Sequence, residues 1–201
     1  SLVELARSTQ LFFQDYIVNV MGAMLKIAST KKLPDPIRHS ALEFMLTICE
    51  LSYSMASKVP NLARNLFNLC MSFMLDLDLD VDDWGNTYED DEFGDIENYD
   101  YGIDGLDRIA MAFKGGKELV STIFQSLPNY INGNTSWVHK NAGLMAIAQT
   151  AEGCRKYYEK SLDQIVKMIV NLSQHSHPKV RYAAIQCSAQ LSTDFELFQE
   201  K

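Results

Sequence analysis

Along most of this chain apolar residues recur at the spacing of one helical face, and the breaks between them fall at proline, glycine and polar clusters. Phe13, Tyr16, Ile17, Val20, Met24 and Ile27 stand at offsets 0, 3, 4, 7, 11 and 14, which predicts one helix over residues 10–30. Lys31 to Pro36 breaks it: a proline disfavours helical geometry in the residue before it, Asp35 is placed to cap a new helix, and Pro36 suits a first turn. That second helix, to about Ser57, carries Ile37, Ala41, Phe44, Met45 and Ile48, and Pro60 introduces another with Leu62, Leu66, Leu69, Cys70 and Phe73. Further on come Leu106 to Phe113, a turn at Lys114-Gly115-Gly116, and Leu119 to Ile131, which Pro128 should kink or end near Leu127. Trp137 to about Glu152 is expected to close with Gly153 as its cap, and Tyr157 to Ser173 has the clearest apolar face, at Leu162, Ile165, Val166, Ile169 and Val170. His177-Pro178 opens a last helix to about Ser192, a partial partner starts at Phe195, and no strand-like alternation competes anywhere.

The pattern repeats. Val138-His139-Lys140-Asn141-Ala142 and Val180-Arg181-Tyr182-Ala183-Ala184 lie 42 residues apart, each starting a helix after a polar turn, and Ile37-Arg38-His39-Ser40-Ala41 is a third copy. At each, a branched apolar residue (Ile37, Val138, Val180) should enter the core, a small one (Ala41, Ala142, Ala184) should admit the neighbouring helix, and the basic residue between them (Arg38, Arg181) should face outward. Trp137 and Pro178 open two of these helices. Stacked helix pairs of about 40–47 residues are the mark of HEAT and armadillo arrays. The expected fold is therefore all-α: an α–α superhelix, a HEAT-repeat solenoid, with repeats at 33–75, 105–132 and 133–174 and partial repeats at 1–32 and 175–201.

Charge changes this picture at one place. From Asp76 to Asp104 the chain has thirteen carboxylates and no Lys or Arg: Asp76, Asp78, Asp80, Asp82, Asp83, Glu89, Asp90, Asp91, Glu92, Asp95, Glu97, Asp100 and Asp104. That is half of its 26 acidic residues, so the rest balances them against all 18 basic ones and the net charge of −8 is local. A like-charge block of this density repels itself and predicts a mobile acidic loop over 76–104. Trp84, Tyr88, Phe93, Tyr99 and Tyr101 are interleaved with the acids, a combination suited to gripping basic peptides through ion pairs and cation–π contacts; a plain solvated linker is the alternative.

Three segments carry a family likeness: Ser1 to Ala6, Ser136 to Ala146, and His177 to Ala184, with the acidic stretch preceding Gly105-Leu106-Asp107-Arg108 between the first two. In order and spacing the chain resembles a middle segment of an importin-β superfamily receptor, of the importin-5 (karyopherin beta-3) class. The resemblance implies a nuclear transport receptor shuttling between cytoplasm and nucleus. Its partners would be basic import-signal cargo, Ran-GTP and phenylalanine-glycine nucleoporins. It also implies that second helices line the concave surface, that outer grooves lie beside the helix starting at Ile37, and that the acidic loop with Trp84 couples Ran binding to cargo release. Ser136 stands where relatives usually have Asp, His139 where Arg is common, and Pro128 interrupts a helix.

Other chemistry is weaker. Asp78, Asp80, Asp82 and Glu89 fit positions 1, 3, 5 and 12 of a calcium loop, but Asp83 occupies the position that requires glycine. His175 and His177 have no third ligand nearby and read as turn residues; Trp137 reads as core. Cys49, Cys70, Cys154 and Cys187 lie in apolar helical contexts and read as reduced core thiols. With no basic stripe, nucleic acid is not an expected partner, and with no apolar run near 20 residues neither is membrane insertion. No nucleophile–base set or phosphate loop can be placed, so neither a cofactor nor an enzyme is expected. The chain is expected to be a soluble, intracellular piece of a longer protein. A HEAT scaffold subunit and an acidic chaperone for basic proteins such as histones stand as rival readings.

Overall fold

A computed structural model describes residues 2–8, 10–76, 97–133 and 135–195. The described residues form helices α1 (Leu2–Ser8), α2 (Ile17–Ser29), α3 (Asp35–Leu51), α4 (Tyr53–Ala56), α5 (Leu62–Met74), α6 (Glu97–Phe113), α7 (Lys117–Ile131), α8 (Trp137–Thr150), α9 (Arg155–Leu172) and α10 (Pro178–Asp194), with a 3-10 turn at Gln10–Phe13. This is the all-α stacked array that the periodicity predicts.

The helices make two layers. α1, α3, α6, α8 and α10 neighbour one another in one layer, and α2, α5, α7 and α9 form the other. Packing is dense along the first layer and sparse along the second, so the array curves toward the first, the inner layer. Each inner helix packs best on the outer helix before it: α2 with α3, α5 with α6, α7 with α8, α9 with α10. The expected repeat boundaries pair each with the helix after it. The helix containing Ile37 is thus an inner helix, and the grooves expected beside it belong to the other face.

Small residues make the close pairs possible. A Cβ on Gly102 would lie 2.5 Å from Met74 Cγ and 2.7 Å from the Cys70 carbonyl oxygen, and one on Gly105 would lie 2.6 Å from Cys70 Sγ, so α5 and α6 touch at glycine. Gly153 plays no left-handed capping part. A Cβ there would collide with the Ala110 carbonyl group, so what the site requires is close approach of the turn after α8 to α6.

Several expectations are corrected. The first long helix is split by the turn after Phe13, and Tyr16 is 67% exposed. α3 ends at Leu51, with Tyr53–Ala56 as a separate turn. Asp35 is the first residue of α3 and not its cap; its carboxylate accepts from Arg38 at 2.7 Å. Pro128 lies inside α7, which runs on to Ile131. Pro128 is exposed, so its ring is accommodated at the surface, and the last turn still closes through Asn132 N–H to the Pro128 oxygen at 3.0 Å.

The repeat signature is only partly as expected. Val180, Ala41, Ala142 and Ala184 are buried, Val138 is half-buried, and Ile37 is 49% exposed because it borders an open cleft of about 620 Å³ with Val3, Met24 and Pro36. Arg181 faces outward, donating to the His175 and Ser176 carbonyls. Arg38 is 3% exposed. Its burial is tolerated because every side of the guanidinium is used: Nε donates to the Ala28 oxygen at the end of α2 (3.2 Å), Nη2 pairs with Asp76 (2.9 Å), and the group lies 4.6 Å above Phe73.

Candidate functional site

Of the residues predicted for the acidic loop, Asp78, Asp80, Asp82, Asp83, Trp84, Glu89, Asp90, Asp91, Glu92 and Asp95 lie outside the described residues, as do the calcium-loop positions. Asp76 is pinned by Arg38 and by Lys31 (2.6 Å); burial pushes its carboxyl up, but the two cations outweigh burial and hold it below the ordinary value. The end of the stretch is not loop. α6 begins at Glu97, so Asp100 and Asp104 stand on a helix. Tyr99, Ile103, Leu106, Ala110 and Phe113 form its apolar face, at offsets 0, 4, 7, 11 and 14, and acids in a first turn favour a helix N-terminus. That periodicity is present upstream of Leu106, under the charge.

Two consecutive residues of α3 meet the two ends of the acidic stretch. Arg38 binds Asp76, while His39 Nε2 lies 2.6 Å from Asn98 Oδ1 and its ring stacks on Tyr101 at 3.9 Å. Sequence reasoning misses His39 because its neighbours are 59 and 62 positions away.

The inner layer carries further carboxylates that sequence reasoning does not single out. Asp107 of α6 has its pKa raised, first by burial and then by Glu152, Asp104 and Asp194, which lie after α8, on α6 and at the end of α10. Among the described residues no Lys or Arg forms an ion pair with Asp107 or Glu152. Tyr99 near the start of α6 meets Asn141 near the start of α8, which meets Lys179 at the start of α10, so these inner helices run parallel and the negative ends of α8 and α10 add to the field of Glu152 and Asp194. A surface of this kind attracts Lys and Arg side chains. Toward α3 the acids are neutralised instead: Arg108 binds Glu43, Glu50 and Asp104.

The outer layer offers a different feature. Between α7 and α9 lies an apolar groove of about 250 Å³, lined by Phe124, Leu127, Pro128, Ile131, Tyr158 and Met168 among others. Trp137 is partly buried against the core and stacks on His177 at 4.0 Å. His177 Nδ1 accepts from Lys179 N–H and His175 Nδ1 from His177 N–H, which makes both histidines part of the turn that starts α10. Ser136 caps α8 as the usual Asp would, accepting from His139 N–H. All four cysteines are buried and free. Among the described residues no group of His, Cys, Asp and Glu could hold a metal ion, and no helix is long and apolar enough to cross a membrane.

Stacked antiparallel helix pairs curving toward one polar layer define an α-solenoid of the HEAT type. An importin-repeat family matches residues 30–121, and a HEAT-like repeat family matches residues 137–187. The chain belongs to the importin-β family. It is 30% identical to importin subunit beta-3 of Saccharomyces cerevisiae across 100% of this chain and 18% of that protein. Solved structures of Kap121p superimpose closely: bound to the SUMO protease Ulp1p with a TM-score of 0.85, and bound to RanGTP with 0.82, each 28% identical over 98% of this chain and 19% of the other. The chain therefore spans about a fifth of the length of these relatives. The importin-repeat match runs from before α3 into α7, so the acidic stretch lies within the family's own repeat.

Proposed function

We propose that this chain is the cargo-handling part of a nuclear import receptor that shuttles between cytoplasm and nucleus, and that its inner layer holds the Lys/Arg-rich import signal of a cargo. The observation that carries this reading is the group of inner carboxylates around Asp107, in a fold whose relatives include Kap121p bound to Pho4p and to RanGTP. Cargo ammonium and guanidinium groups supply counter-charge to Asp107 and Glu152, which among the described residues form no ion pair with a Lys or Arg, and binding then lowers the raised pKa of Asp107. The outer α7–α9 groove takes nucleoporin phenylalanines, a role supported by its apolar lining and by the solved structure of Kap121p bound to Nup53p. The acidic stretch couples Ran-GTP to release by competing for the same basic side chains, its two ends being held against Arg38 and His39.

The test is a calorimetric titration of a Lys-rich import-signal peptide and of a scrambled peptide of equal charge. The signal should bind more tightly than the scramble. Asp107→Asn combined with Glu152→Gln should weaken it by roughly tenfold, in keeping with about 1–2 kcal/mol for a charge-assisted contact, and affinity should fall as salt rises. Equal binding of both peptides would instead fit a charge-shielding chaperone. Deletion of residues 77–96 that left Ran-GTP-driven release unchanged would remove the acidic stretch from the mechanism.

A further inference from the structure

The inner helices meet at junctions that are built differently. At α6–α8 and α8–α10 the polar contacts include neutral ones: Tyr99 OH donates to Asn141 Oδ1, and Asn141 Nδ2 donates to the Lys179 oxygen at 3.2 Å. At α3–α6 the tie is ionic. Arg108 Nε and Nη2 donate to the two oxygens of Glu50 at 2.6 and 3.0 Å, and Nη1 and Nη2 donate to the two oxygens of Glu43 at 2.5 and 3.3 Å. Asp104, one turn back on α6, accepts from Nη1 at 3.2 Å, and Arg7 of α1 reaches Glu43 at 3.5 Å. Glu43 and Glu50 are seven residues, two turns, apart on α3. One rigid planar cation on α6 thus grips two points along the α3 axis, which constrains the angle between the helices as well as their distance.

We propose that Arg108 is an ionic latch on the curvature of the array: it sets the angle between α3 and α6, and releasing it makes the solenoid bend at this junction while α6–α8 and α8–α10 keep their geometry. Core packing alone lets adjacent helices slide and tilt, because apolar contact has no preferred direction. The single hydrogen bonds at α6–α8 and α8–α10 each hold one point, whereas the fork holds two points along one helix, and among the described residues this two-point ionic grip is at α3–α6. Changes of charge on the inner surface therefore act on the shape of the array first at α3–α6.

The experiment is a pair of spin-label distance measurements on the 201-residue protein. Cysteines introduced at Ile37 and Met111 span α3–α6, and cysteines at Met111 and Gln186 span α6–α8 and α8–α10; all three positions are exposed. The native thiols are buried, with pKa values pushed up to about 11 for Cys154 and about 12 for Cys49, Cys70 and Cys187, so the introduced ones label selectively. Arg108→Gln should widen the Ile37–Met111 distance distribution at least twofold and leave Met111–Gln186 as it was. Arg108→Lys, which keeps the charge but not the fork, should give an intermediate width. An unchanged first distribution, or equal broadening of both, would overturn the latch. Should Arg108→Gln fail to fold, Arg108→Lys decides by the same criterion.

Discussion

The inner and outer layers are made of the same element and hold it in different ways. Inner helices are joined by directional bonds between named atoms: Arg108 to Glu43 and Glu50, His39 to Asn98, Tyr99 to Asn141, Asn141 to the Lys179 oxygen. Outer helices meet through apolar surface, such as Phe124 against Tyr158 with ring centroids 5.4 Å apart, and leave a groove between α7 and α9. Directional contacts fix an angle; apolar contacts fix only a separation. A binding surface that must present charges at set spacing belongs on the first kind of layer, and one that accepts a single aromatic ring belongs on the second.

Glycine substitutions give the sharpest way to break this contrast. Gly153→Ala drives a methyl into the Ala110 backbone, where no flexible side chain can give way, and should cost about 3 kcal/mol or more in urea unfolding. Gly22 lies on exposed outer helix α2 with nothing within 4 Å of its missing Cβ, so Gly22→Ala should stabilise by about 0.5–1 kcal/mol. Similar losses at both positions would mean that the layers are equally tight.

Asn141 tests the directional bonds. Asn141→Leu removes both the acceptor of the Tyr99 hydroxyl and the donor to the Lys179 carbonyl and should cost about 2 kcal/mol, at roughly 1 kcal/mol for each hydrogen bond. A smaller effect is expected where outer meets inner. Tyr158 of α9 donates to Thr150 Oγ1 at 2.7 Å, and Thr150 in turn donates to the Ala146 oxygen. Tyr158→Phe removes one bond and leaves Thr150 paired, a loss of about 1 kcal/mol by thermal unfolding.

How much of this is legible in the sequence depends on the kind of signal. Of the face that apolar spacing predicts for α9, Leu162, Ile165 and Ile169 are buried and Val166 is half-buried, while Val170 is exposed. Periodicity says which side of a helix is covered, though not by which neighbour, and so spacing pairs α3 with the helix after it when it packs on the one before. Formal charge misleads twice. It conceals the first turns of α6 beneath acidic residues, and it makes Arg38 look external when its position beside the free carbonyls of α2 and beside Asp76 gives a guanidinium enough partners to be buried. The carboxylate group around Asp107 comes from the middle of α6 and the ends of α8 and α10, which are close only once the inner layer is stacked, and no local motif announces it.

The smallest expected effect is on pH dependence, where Glu43 and Asp107 should behave oppositely. Burial pushes the Glu43 carboxyl up, but the hydrogen bonds and charge of Arg108 outweigh burial and set it below its ordinary value. Its stabilising share is present above the unfolded value, about 4.3, and is lost as pH falls through the folded one. Asp107 is raised by burial and by Glu152, Asp104 and Asp194, so its charge costs stability at neutral pH, and the cost fades as pH falls through its folded value. Glu43→Gln should therefore destabilise by about 1 kcal/mol at pH 7 and by less near pH 4. Asp107→Asn should stabilise by about 0.5 kcal/mol at pH 7, with the gain vanishing in acid. Urea unfolding at the two pH values separates them. If both substitutions move stability the same way at pH 7, the division of the inner face into an acid-rich part awaiting a partner and a part already paired by Arg108 is wrong.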